Sequence, residues 1–101
     1  MATPFDNLSS ARRIAHCLRG CSLGLEHWAP GMPGTAGDVG YRKALHALRD
    51  AMTPAQREQM AALDARAAAL YARHKGKPDP YFDIAALADF VAIAPSERRV
   101  V

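Results

Sequence analysis

The residues near positions 53 and 76 constrain this chain most, because they mark the two ends of one long helix. Thr53 and Gln56 stand three residues apart, so their side chains can each satisfy a free backbone N–H group of the other. Pro54 fits the first helical position, where its missing N–H is not needed, and Pro78 prevents continuation beyond Gly76. Residues between these ends recur at helical spacing and predict a helix over 53–75, with one buried face made of Met60, Leu63, Ala67, Leu70, Tyr71 and His74.

Three other segments show the same spacing and predict helices over about 8–20, 38–52 and 80–94. Their first turns carry residues that can accept a hydrogen bond from free backbone N–H groups: Asn7, Ser9 or Ser10, then Asp38, then Asp79. Gly20 is expected to end the first of these helices, and Pro95 the last.

Residues 22–37 contain four glycines and two prolines in sixteen positions, a density of helix breakers that predicts a loop. Because the segment also holds Trp28 and other apolar residues, the loop is expected to be long and ordered. The predicted fold is therefore an all-α bundle of four helices in a single domain, 1–101, with loose ends at 1–7 and 96–101.

The composition agrees with this fold class and limits the classes of function to consider. Alanine, the best helix former, supplies 21 of 101 residues, whereas Val, Ile and Thr, which favour sheets, are scarce. Arginine outnumbers lysine ten to three, a bias typical of GC-rich bacterial or phage coding sequence. No apolar run reaches the roughly 20 residues of a membrane span, and the N-terminus lacks the pattern of a signal peptide. We therefore expect a cytoplasmic protein with no membrane partner.

The motifs that mark catalytic and metal sites give little support to either function. The spacing Cys17-x₃-Cys21, with His16 and His27 nearby, falls within the range of a zinc hook, but no second hook follows. Buried cysteines are the simpler interpretation. The sequence has no glycine-rich phosphate loop and no nucleophile elbow. We expect no enzyme, no cofactor and no metal.

The last predicted helix has apolar residues on two opposite faces, with only Asp83 and Asp89 between them. One interpretation is a central helix that the other helices cover. The other is that one face meets a partner protein or a second copy of the chain, with Trp28 as a further anchor. On the second interpretation the protein is a non-enzymatic interaction module, a small regulator, inhibitor or adaptor, with the protein-binding residues Trp28, Phe82, Phe90 and Ile93.

Two basic stripes support an alternative function. Each stripe has the order Arg-His-Arg at positions i, i+4 and i+7, which places its members on one helical face. If the first two helices lay side by side with these faces outward, the stripes would form one basic patch that could bind phosphates. The alternative is a nucleic-acid-binding protein that uses Arg12, His16, Arg19, Arg42, His46 and Arg49. Against it, the net charge is only +3, and the solvated side of two amphipathic helices is the commoner origin of such stripes.

Overall fold

The computed structural model describes residues 9–28, 36–77 and 83–98. These residues form four α-helices and one short 3-10 turn, and none of them lies in a strand. The helices are α1 (Ser10–Trp28), α2 (Ala36–Leu48), α3 (Pro54–His74) and α4 (Ile84–Arg98), and the turn Arg49–Ala51 follows α2 directly. The prediction of a small all-α bundle with four helices is confirmed. None of the described helices is both long enough and apolar enough to cross a membrane.

The four helices surround one apolar core. α1 and α4 each pack against both α2 and α3, so the helices form a ring in the order α1, α2, α4, α3. Trp28 at the end of α1 meets Phe90 of α4 edge to face, with ring centroids 6.4 Å apart and both side chains fully buried. Around this aromatic pair lie apolar side chains from every helix, including Ile14, Leu25, Leu45, Leu63, Leu70 and Leu87.

Helix α3 agrees with its prediction at both ends. Thr53 Oγ1 accepts a hydrogen bond from the backbone N–H of Gln56 at 3.2 Å, and Gln56 Oε1 accepts one from the backbone N–H of Thr53 at 2.9 Å. Beyond the last turn, Gly76 has a φ of +75°, a conformation that costs glycine little because it has no Cβ. The capping box and the glycine therefore mark the ends of this helix, as the sequence indicated.

The end predicted for the first helix was wrong. Ser9 caps α1 as expected, since its Oγ accepts from the backbone N–H of Arg12 at 3.3 Å, but the helix continues through Gly20 and Gly24 to Trp28. A Cβ built on Gly20 would lie 2.6 Å from the ring of Tyr41 in α2. Gly20 therefore allows the two helices to approach closely and does not end the helix.

The loop predicted over 22–37 is corrected accordingly. Residues 22–28 belong to α1, and residues 36–37 belong to α2. Asp38 consequently lies inside α2 and not at its cap. Residues 29–35 of the predicted loop lie outside the described residues. The glycines of this segment were counted as helix breakers, whereas Gly24 is buried within α1, where tertiary packing overrides its low helix propensity.

The limits predicted for the last helix were also wrong. α4 begins at Ile84, where Asp83 Oδ1 accepts a hydrogen bond from the backbone N–H of Ala86 at 3.0 Å. It passes through Pro95 and ends at Arg98, so residues 96–98 are helical and not a loose end. Asp79 and the predicted loose ends 1–7 and 99–101 lie outside the described residues.

We predict that replacement of Gly20 by Ala destabilises the protein, although alanine is the better helix former. The added methyl group would meet the partly buried Tyr41 ring, and overpacking of this kind costs roughly 1–3 kcal/mol. Gly40→Ala in α2 is the matched control, because Gly40 is exposed and its Cβ would meet no atom within 4 Å. Gly40→Ala should raise the free energy of unfolding by about 0.5–1 kcal/mol. Urea unfolding measures both, and a stabilised Gly20→Ala variant would contradict the close α1–α2 contact.

Candidate functional site

Two of the four predicted protein-binding residues are core residues. Trp28 and Phe90 are each 0% exposed and contact one another, so neither is available on the surface as an interface anchor. The interpretation of α4 as a central helix is therefore correct for Phe90, which is fully buried and packs against Trp28 of α1. Ile93 is partly exposed, and Phe82 lies outside the described residues.

The basic stripe predicted on the second helix is not a surface patch, because Arg42 is fully buried. Its guanidinium forms a two-pronged ion pair with Asp64 of α3: Nε donates to Oδ1 at 2.8 Å, and Nη2 donates to Oδ2 at 3.0 Å. Nη2 also donates to Glu97 Oε1 near the end of α4. Arg42 is therefore not on the surface, where the predicted binding of nucleic acid needs it, because its side chain is buried and its Nε and Nη2 donate to carboxylates.

The other two residues of that stripe also make internal contacts. His46 Nδ1 lies 3.1 Å from Glu97 Oε2, and the His46 side chain is 37% exposed. Arg49 Nη1 turns back along its own chain and donates to the backbone oxygen of His46 at 2.8 Å. The group around Arg42, which we call the Arg42 cluster, thus comprises Arg42, His46, Asp64 and Glu97.

The electrostatics of the Arg42 cluster favour its charged form. Burial alone would lower the pKa of Arg42, but hydrogen bonds and ionic attraction to Asp64 and Glu97 raise it above its ordinary value. Burial alone would raise the pKa of Glu97, but the hydrogen bond and charge of Arg42, with a smaller contribution from His46, lower it below its ordinary value of 4.5. Each charge therefore stabilises its neighbours, which is the arrangement of a structural ion cluster.

The basic stripe on α1 does lie on the surface. Arg12, His16 and Arg19 are all exposed, and the His16 ring meets Tyr41 edge to face at 5.4 Å between centroids. In the α2 stripe, Arg42 and His46 belong to the Arg42 cluster, and Arg49 donates to the backbone oxygen of His46. The two stripes therefore do not combine into the single basic patch that the alternative function required.

The cysteines are core residues. Cys17 and Cys21 are both fully buried, as their simpler interpretation held. Burial raises the pKa of the Cys17 thiol, which reduces the thiolate that a nucleophile or a zinc ligand needs. Within the described residues, no three His, Cys, Asp or Glu side chains are grouped so as to hold a metal ion.

A concave surface lies between α1 and α3, and we call it the α1–α3 groove. Its larger part has a volume of about 480 Å³. Leu18 and Leu63 form its floor, since both are only 7% exposed. Around this floor stand alanines, polar side chains and two arginines: Ala15, Arg19, Ser22, Gln56, Gln59, Ala62 and Arg66.

The groove continues along the same two helices. A second part, of about 220 Å³, is lined by Leu25, Arg66, Ala69, Leu70 and Arg73, so Arg66 belongs to both parts. Residues 15–22 of α1 face residues 56–66 of α3, and Leu25 faces residues 66–73. The two helices therefore run in the same direction, and the two parts of the groove adjoin at Arg66.

The charge of the groove has one sign. Among the residues that the structure describes, the ionisable ones of its lining are Arg19, Arg66 and Arg73, and none is acidic. Within the part of the chain that the structure describes, these three arginines make no ion pair. The groove thus combines an apolar floor with an uncompensated basic rim.

A second groove, of about 390 Å³, lies between α3 and α4. It is lined mainly by small residues such as Ala61, Ala65 and Ala94, together with Arg57, Asp64 and Glu97. The two carboxylates already bind Arg42, so they are not free to bind a ligand. This groove offers less for recognition than the α1–α3 groove.

Of the predicted site residues that the structure describes, only Arg19 lines the α1–α3 groove. Arg66 and Arg73 were not predicted, although the sequence carries a signal for them. Along the side of α3 that faces α1, residues recur at spacings of three and four: Gln59, Ala62, Arg66, Ala69 and Arg73. This stripe borders the Leu63 face and carries no acid.

Comparison with known proteins gives no independent guide to the site. No family model matches the chain, and no curated protein or solved structure matches it.

We predict that acid destabilises the protein through Glu97. Because its pKa is lower in the folded state than its ordinary value of 4.5, Glu97 contributes stability that is present above that pH and is lost as the pH falls through the folded pKa. Glu97→Gln should therefore be less stable than the wild type at neutral pH, and its stability should depend less on pH below about 4.5. Chemical unfolding at a series of pH values measures this.

The control for this titration is Glu26→Gln, which changes an exposed glutamate of α1 and leaves the Arg42 cluster intact. It should keep the acid dependence of the wild type. If Glu97→Gln and Glu26→Gln showed the same pH profile, the ion pair between Arg42 and Glu97 would not contribute to stability.

Proposed function

We propose that this chain is a non-enzymatic protein-interaction module, a small cytoplasmic regulator, inhibitor or adaptor, and that it binds a helical segment of a partner protein in the α1–α3 groove. The observation that carries the proposal is the combination of an apolar floor, Leu18 and Leu63, with the rim arginines Arg19, Arg66 and Arg73. The site differs from the one expected from Trp28 and Phe90, which are buried.

The shape of the groove favours a helix as its occupant. The lining of α3 extends from Gln56 to Arg73, which corresponds to a length of about 25 Å at 1.5 Å per residue. A helix of about 17 residues has this length, and its apolar stripe would cover the apolar floor, as in other complexes in which a helix binds a groove. The alanines Ala62 and Ala69 on the wall allow a second backbone to come close.

A protein partner fits the groove better than nucleic acid does. Phosphates could approach the rim arginines, but a nucleic-acid backbone has no apolar groups to cover Leu18 and Leu63. Moreover, Arg42 and Arg49, which the nucleic-acid alternative required, make internal contacts. We therefore do not propose the nucleic-acid alternative, and binding of nucleic acid is one possible outcome of the experiment below.

We predict that Ala62→Trp abolishes ligand binding, because an indole at this position would fill the groove. Ligands are obtained without bias by selection from a random peptide display library on the full chain, and their affinities are measured by fluorescence anisotropy. Ala72→Trp is the matched control, since Ala72 is exposed on the same helix but lines neither part of the groove. Ala72→Trp should bind as the wild type does.

Circular dichroism and thermal unfolding establish that both variants fold. If the selected peptides bound Ala62→Trp as tightly as Ala72→Trp, the α1–α3 groove would not be the binding site. If the chain selected no peptide but bound oligonucleotides through Arg66, the protein-interaction proposal would be wrong.

A further inference from the structure

Resting on the proposed function, we infer that the partner helix is acidic and carries two carboxylates seven residues apart, one paired with Arg66 and the other with Arg73. The shape of the groove alone does not determine the chemistry of the partner. The positions of the rim arginines along α3 do.

The two arginines of α3 have a spacing that a helix can match. Arg66 and Arg73 are separated by seven residues, so they lie on one face of α3 and about 10 Å apart along its axis. A helix that packs at a small angle along the groove presents its own residues i and i+7 with the same separation. Two carboxylates at those positions would therefore meet both guanidinium groups at once.

Arg19, on the α1 wall of the groove, strengthens the positive potential near Arg66. Arg19 of α1 and Arg66 of α3 line the same part of the groove, so a carboxylate near Arg66 would lie between two guanidinium groups. The part near Arg73 has leucines and an alanine as its other lining residues, namely Leu25, Leu70 and Ala69. The partner is thus expected to place more acidic side chains near Arg19 and more apolar side chains near Arg73.

No acidic residue among the described lining of the groove weakens this preference. Arginine binds carboxylates through two parallel hydrogen bonds, as the pair between Arg42 and Asp64 shows elsewhere in this protein. At the groove the corresponding carboxylate is not supplied by any lining residue. A basic partner helix would meet like charges along the whole rim, so the groove also discriminates against it.

The experiment uses two synthetic peptides of about 18 residues that share a leucine stripe at helical spacing. One peptide has Glu at two positions seven residues apart beside the stripe, and the other has Lys at both positions. Binding of each to the full chain is measured by fluorescence anisotropy at low and at high salt. The wild type should bind the Glu peptide about tenfold more tightly than the Lys peptide, and the difference should shrink at high salt.

Reversal of the rim charge then tests which residues are responsible. Arg66→Glu and Arg73→Glu, made singly, should each weaken binding of the Glu peptide and strengthen binding of the Lys peptide. Lys43→Glu is the matched control, because Lys43 is exposed on α2, and the change alters the net charge equally. It should leave the preference for the Glu peptide in place.

The outcomes separate this inference from the function on which it rests. If the wild type bound both peptides equally, or if Lys43→Glu had the same effect as Arg66→Glu, the inference would be overturned. The proposed function would stand in that case provided that peptides from the unbiased selection still required an open groove at Ala62. If the selected peptides ignored Ala62→Trp, the proposed function itself would fail.

Discussion

The guanidinium of Arg42 joins three of the four helices, and the arrangement of the bundle depends on it. The side chain leaves α2 and pairs with Asp64 of α3 through Nε and Nη2, and Nη2 also donates to Glu97 of α4. A charge with no exposed surface must be neutralised where it is buried, because loss of a partner costs about 3–5 kcal/mol. A shift of α2 by one turn would separate these charges. The cluster therefore specifies how α2 lies against α3 and α4.

The same interaction explains why α4 continues past Pro95. A proline within a helix removes one backbone hydrogen bond and costs roughly 3 kcal/mol relative to alanine. Beyond it, Glu97 binds Arg42 and lies close to His46, so the last turn of α4 is held from α2. The helix is thus extended by contacts distant in sequence, and the tail that composition alone marks as loose contributes a residue to the interior.

The parts of the fold that could be predicted are those that depend on local chemistry. The capping box at Thr53 and Gln56 and the glycine after His74 act within a few residues, so α3 was predicted at both ends. Gly20, Pro95 and Arg42 were misread because their roles depend on distant partners: the ring of Tyr41 for Gly20, and the Arg42 cluster for the other two. The site was missed for a related reason. Arg66 and Arg73 gain meaning only when α1 lies beside α3, and no local pattern predicts that neighbour.

The Arg42 cluster also determines which cations are left for recognition. It withdraws Arg42 of the α2 stripe from the surface, whereas Arg19, Arg66 and Arg73 line the α1–α3 groove. Arginine thus has two roles in this structure. Arg42 is buried and structural, whereas Arg19, Arg66 and Arg73 lie at the rim of the groove that we propose as a binding site.

The exchange of arginine Nε–H protons with water, measured by NMR on ¹⁵N-labelled protein and assigned through bonds, tests this separation most directly. The Nε–H of Arg42 should exchange slowly, because it is buried and donates to Asp64, whereas those of Arg19, Arg66 and Arg73 should exchange rapidly. If Arg42 exchanged as fast as Arg66, the buried cluster would not exist, and the basic stripe of α2 would return to the surface.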